Sequence, residues 1–130
     1  MKRLLFILPL AIYGCGNSER PDSEVVVDES VLSIYTRESY PRTYQLWGDS
    51  GIERIKSVER SALFKAGKQT RCDQVEYVGL SEKLSRAPDK IVVYADCRNR
   101  WRYYIDEDNE IVQSESCLLY TSDAADEEDS

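Results

Sequence analysis

The stretch SGIERIKSVERSALFKAG, Ser50–Gly67, decides the fold, together with CDQVEYVGL (Cys72–Leu80) and KIVVYADC (Lys90–Cys97) that follow it. In the first, Ile52, Ile55, Val58, Ala62, Leu63 and Ala66 recur at helical spacing. Glu53, Arg54, Lys56, Glu59, Arg60 and Lys65 fill most of the other side and are expected to face solvent. Ser50 and Glu53 fit the S-x-x-E capping box, in which each side chain accepts a hydrogen bond from the other residue's backbone N–H. Gly67 offers the left-handed residue that commonly ends a helix, with Lys65 and Lys68 near its negative end. The pattern predicts a helix over about 51–66.

Beyond it the apolar period changes to two. Residues 72–80, 90–97 and 101–105 read as strands. In the second, Ile91, Val93, Ala95 and Cys97 share a face. In the third, Trp101, Tyr103 and Ile105 alternate against Arg102 and Tyr104. The segment with Pro88 and Asp89, the Arg98-Asn99-Arg100 triplet and Asp106–Glu110 are turns. Ile111-Val112 can begin a further strand. The expected class is α+β, one helix covering a face of a small antiparallel meander.

Upstream, VLSIYTRESYPRTYQLW is ambiguous, because Pro41 interrupts it and biases Tyr40 to extended geometry. Trp47 is expected to pack on the helix. Residues 15–30, polar at first and without periodicity, read as a flexible tether, and 31–116 as the folded domain.

The chain opens MKRLLFILPLAIYGC. Two bases precede an apolar run, Leu4–Tyr13, that is too short to cross a bilayer and suits a secretory leader. Ile12-Tyr13-Gly14-Cys15 resembles the lipobox of bacterial lipoproteins, with an aliphatic residue three before the cysteine and a small one just before it; Tyr13 is bulky for its position. That resemblance implies removal of residues 1–14 and acylation of Cys15, and several acyl chains anchor stably where one does not. Gly16 in place of Asp implies, in enteric-type bacteria, the outer membrane, with the domain in the periplasm.

The other end, CLLYTSDAADEEDS, carries an acidic run and a cysteine. Cys117–Glu127 match, in order, the translation of the adapter left by transposase-based library preparation. Residues 117–130 are therefore read as adapter-derived and set aside, and the natural chain continues past Ser116 or is truncated there. The whole sequence carries 17 basic and 24 acidic residues, net −7. Without the two leader bases and the five tail acids the net charge falls to about −4, which is ordinary solubility charge.

With Cys15 acylated and Cys117 excluded, Cys72 and Cys97 remain as a pair, and export to an oxidising compartment predicts a disulfide between them. Closing that loop stabilises a small domain by roughly 3 kcal/mol on the chain-entropy model. No cofactor or metal is expected: there is no C-x-x-C and no histidine, and the acids of 106–110 lack the glycine of a calcium loop.

Arg98, Arg100, Trp101, Arg102 and Tyr104 form the candidate binding surface, since interleaved arginines and aromatics bind phosphates or carboxylates. Nucleic acid is not expected as a partner in this compartment. Without histidine the commonest general base is missing, no nucleophile-elbow, phosphate-loop or dinucleotide motif occurs, and Glu53 with Glu59 is the sole candidate acid pair. The expected function is that of a non-enzymatic, lipid-anchored envelope module binding an unidentified partner. The second reading is a periplasmic inhibitor like the lysozyme inhibitors, which are small, lipidated, disulfide-bonded all-β barrels; the third is a carboxylate hydrolase. The segments YPRTYQLWGDSGIERI, CDQVEYVGLSE and VVYADCRNRWRYYI also look similar to small uncharacterised proteobacterial and phage-associated domains. That resemblance implies a fold and no chemistry.

Overall fold

The computed structural model describes residues 18–116. One helix, α1 (Pro41–Lys68), is followed by β1 (Val75–Leu80), β2 (Val92–Cys97), β3 (Trp101–Asp106) and β4 (Ile111–Ser116). The strands form one antiparallel sheet in the order β1-β2-β3-β4, so the expected meander gains a fourth strand. The helix removes the architectural likeness to an all-β inhibitor barrel. The 25-residue loop between Cys72 and Cys97 is closed by their disulfide, with Cα atoms 5.5 Å apart. It ties the lead-in of β1 to the end of β2, where Val75 pairs with Cys97.

The helix begins ten residues before the predicted start. Pro41 opens it instead of breaking it, because the first helical position needs no N–H. At Gly48 the backbone leaves helical geometry, with φ 72, a conformation relaxed only for glycine. Two limbs therefore meet at Gly48, and Trp47 folds back on Gly51, where an added Cβ would lie 2.8 Å from that of Trp47. Trp47 thus packs on the helix as expected. Ser50 and Glu53 exchange no capping hydrogen bond among the described residues; the Glu53 side chain pairs with Lys56 at 3.3 Å.

Gly67 also has a different role from the one its position suggests. The helix runs on to Lys68 and ends at Gln69 in extended geometry. A Cβ at Gly67 would meet Val27 at 2.8 Å and Val25 at 3.3 Å, so the missing side chain makes room for the N-terminal segment. That segment, from Ser18 onward, is docked rather than a loose tether. Glu19 bridges to Gln69, and the Arg20 guanidinium donates to the carbonyls of Gly67 at 2.7 Å and Gln69 at 2.8 Å. These are carbonyls the last helical turn leaves without intrahelical partners.

The core lies between the helix and one face of the sheet. Ile52, Ile55, Ala62, Leu63 and Ala66 meet Val78, Val93, Ala95, Tyr103 and Ile105. Each fully buried aliphatic side chain contributes about 1.5–3 kcal/mol relative to exposure.

Candidate functional site

Strand alternation sends Tyr77, Tyr94, Asp96, Arg102 and Tyr104 to the face away from the helix. Cross-strand pairing places Tyr77 beside Asp96, Tyr94 beside Tyr104 and Asp96 beside Arg102. The Arg102 guanidinium grips Asp96 with two hydrogen bonds, of 2.5 and 2.9 Å. It also lies 4.2 Å over the centre of the Tyr94 ring. Such a fork is fixed in geometry as well as charge. The Tyr104 hydroxyl donates to Glu115 at 3.3 Å and accepts from Arg102 at 3.4 Å.

The Tyr77 and Tyr94 rings lie 5.8 Å apart. Gly79 makes that approach possible: a Cβ there would sit 3.1 Å from the Tyr77 ring and 3.2 Å from the Tyr94 hydroxyl. Burial pushes the Tyr94 phenol up to about 12, with the Tyr77 phenol adding to the effect, so the Tyr94 hydroxyl is a neutral donor at physiological pH. The Asp96 ion pair holds the Arg102 guanidinium charged beyond its ordinary range. A cleft of about 200 Å³ opens between the Ser81–Lys83 segment and Glu115, with Tyr94, Arg102 and Tyr104 along it.

The five residues grouped in the sequence as one surface are divided by the fold. Arg102 and Tyr104 join the tyrosine face. Trp101 points to the helix side and lies under the Arg71 guanidinium, 4.6 Å from its centre. Arg98 and Arg100 stay in the β2–β3 turn, where Arg100 takes φ 76 and reverses the chain. The signal for Tyr77, Tyr94 and Asp96 was present in the sequence as alternation, but their meeting depends on strand register.

Glu59 corrects the solvent-facing assignment made from helical spacing. It is 1% exposed. Its carboxylate accepts from the Tyr35 hydroxyl, and the Ser33 backbone N–H also bonds it. Burial pushes its carboxyl up to about 7, against the lowering effect of those two donors. A groove of about 270 Å³ lies over this region, and Glu59 lines it together with Ser30, Leu32, Lys56 and Arg60 among others. Glu53 lies on the exposed surface with Lys56, and the two acids do not form a pair.

Among the described residues, no group of three His, Cys, Asp or Glu side chains could hold a metal ion, and no helix is long and apolar enough to cross a membrane. Cys15, the expected acylation site, and Cys117 lie outside the described residues. No family model, curated protein or solved structure matches this chain.

Proposed function

We propose that this chain is a lipid-anchored cell-envelope protein, without enzymatic activity, that binds another envelope protein through the tyrosine face of its sheet. The anchor rests on the leader and the lipobox-like Ile12–Cys15. The binding role rests on one observation: the face opposite the helix presents Tyr77, Tyr94 and Arg102 in a fixed arrangement, with Arg102 locked by Asp96. Tyrosine and arginine are enriched where protein interfaces gain most of their affinity: tyrosine gives large contact area with few rotors to order, and arginine a planar guanidinium that bonds and stacks at once. Here the rotors are already held by intramolecular contacts, which lowers the entropy cost of docking.

A photo-crosslinking residue at position 77 tests this in living cells. Adducts to an envelope protein are expected from position 77 and not from Glu53 on the exposed helix face. Equal adducts from both positions, or none from 77, would overturn the assignment.

A further inference from the structure

The two edges of the sheet are finished differently. We infer that the β4 edge is a pairing surface for a second copy of this chain, strand against strand, about a two-fold axis at Ser114. The seam is made by backbone and does not depend on what the tyrosine face binds.

A sheet edge presents unpaired backbone N–H and C=O groups at every second residue, a template for another strand. Along β1 that edge is interrupted and covered. Its pairing with β2 shifts register between Val75 and Tyr77, the short turn Glu29–Val31 lies against it, and the Ser33 hydroxyl donates to Val78 O at 3.0 Å. Along β4 nothing comparable occurs. Among the described residues, no group outside the sheet hydrogen-bonds the backbone of Ile111–Glu115, and Val112, Gln113 and Ser114 are exposed. The strand contains neither proline nor lysine, the residues that commonly guard an open edge. Its one charge, Glu115, is turned to the tyrosine face, where the Tyr104 hydroxyl donates to it.

The side chains select one register. A two-fold axis perpendicular to the sheet joins two copies antiparallel and keeps like faces together, so residues set opposite one another must share a face. Gln113 and Glu115, paired with Tyr104 and Arg102, lie on the tyrosine face, and Ser114, paired with Tyr103, lies on the helix face. Val112 is the extra residue where the register shifts, so Ile111 pairs with Ile105 on the helix face. An axis through Gln113 would therefore set Glu115 against Ile111 of the other face. An axis through Glu115 would oppose two carboxylates. An axis through Ser114 sets Gln113 of each copy against Glu115 of the other, an amide donor against a carboxylate, twice by symmetry, with serine against serine at the centre. The Gln113 amide has no partner among the described residues and is available for this. With Val112 bulged from the ladder the seam is short. It buries less than the roughly 1,000 Å² of a stable interface, so the dimer is a weak one that forms at high protein concentration.

The test is sedimentation of the full chain over a concentration series, with the average mass expected to rise from one chain toward two. Gln113→Glu sets four carboxylates across the seam and should raise the dimer dissociation constant about tenfold. The double variant Q113E/E115Q again sets amide against carboxylate and should recover the parent value. Ser114→Cys supplies a second measurement. Directly opposed residues have Cα atoms about 4.5–5.5 Å apart, within disulfide reach, so mild oxidation should link two chains through position 114 of each. Glu53→Cys, on the exposed helix surface, should form no such link above the parent chain. A single-chain mass at every concentration, Gln113→Glu without effect, or equal linkage from positions 114 and 53 would overturn the pairing. Loss in Gln113→Glu that Q113E/E115Q does not recover would overturn the register, and with it the axis at Ser114.

Discussion

The two faces of the sheet are made by the same strands and share one backbone, yet they are built on different chemistry. Tyr103 and Tyr104 are neighbours in sequence and almost equally buried, at 3% and 2% exposure. Tyr103 lies in the apolar cluster with Ile55 and Leu63. Tyr104 is covered instead by Arg102 and Glu115, which bond its hydroxyl. Burial on one face excludes water from hydrocarbon. On the other it fixes polar groups in place, and the second arrangement adds little net stability because each charge must first be desolvated. The helix face should therefore carry the stability and the tyrosine face the recognition.

The sharpest way to break this division is Ile105→Ala. Ile105 is fully buried on the helix face, and truncation there leaves a cavity that the sheet and helix cannot close. A loss of about 2–5 kcal/mol is expected in denaturant unfolding, with little change in slope. A loss below about 1 kcal/mol would mean that the helix–sheet core is not the main source of stability.

Most of that core is legible in the sequence. The change of period from helix to strand located α1 and three of the four strands, and compartment with cysteine count paired Cys72 with Cys97. Glu59 shows where the reading stopped short. Positions 52, 55, 59, 62 and 66 repeat at alternating intervals of three and four, so Glu59 stands in line with the core stripe. Residue type outweighed position in the reading, because an isolated carboxylate is seldom buried. What offsets the burial is Tyr35, far away in an ambiguous stretch, and no local pattern joins the two. Gly67 failed for a similar reason: a glycine near a helix end suggests a cap, and only the docked Val25 and Val27 reveal a space requirement. The tyrosine face lay beyond reach because strand alternation gives the face of each residue but not its cross-strand partner.

The second test takes the buried carboxyl of Glu59, beside the helix-side core. Glu59 holds its proton to about pH 7 in the fold, whereas an unfolded glutamate releases it near 4.5. Between those values the folded state binds more protons, so stability is highest below about pH 4.5 and falls as pH rises to about 7. The loss is at most about 3 kcal/mol. Glu59→Gln keeps an oxygen to accept from Tyr35 and cannot ionise. It should unfold like the parent near pH 4 and be more stable by about 1–3 kcal/mol at pH 8. Unfolding curves for the pair at both pH values decide it; a destabilised variant at pH 8 would show that the ionised carboxylate, not its neutral form, suits the site.

The smallest effect is predicted for Tyr77→Ala, on the opposite face. Tyr77 is 42% exposed, and its main intramolecular contact is the tilted ring of Tyr94. Aromatic pairs of this kind contribute about 0.5–1.5 kcal/mol, and partial exposure puts the expected cost near the lower end. Thermal or denaturant unfolding should therefore register about 1 kcal/mol or less, well under the Ile105→Ala loss. The same substitution removes the most exposed ring of the proposed interface, so partner adducts from a photo-crosslinker at nearby Glu76 should fall well beyond what the stability change explains. If Tyr77→Ala unfolds the domain as severely as Ile105→Ala, the tyrosines are a second core rather than a recognition surface. If stability and adducts both survive, the face is neither.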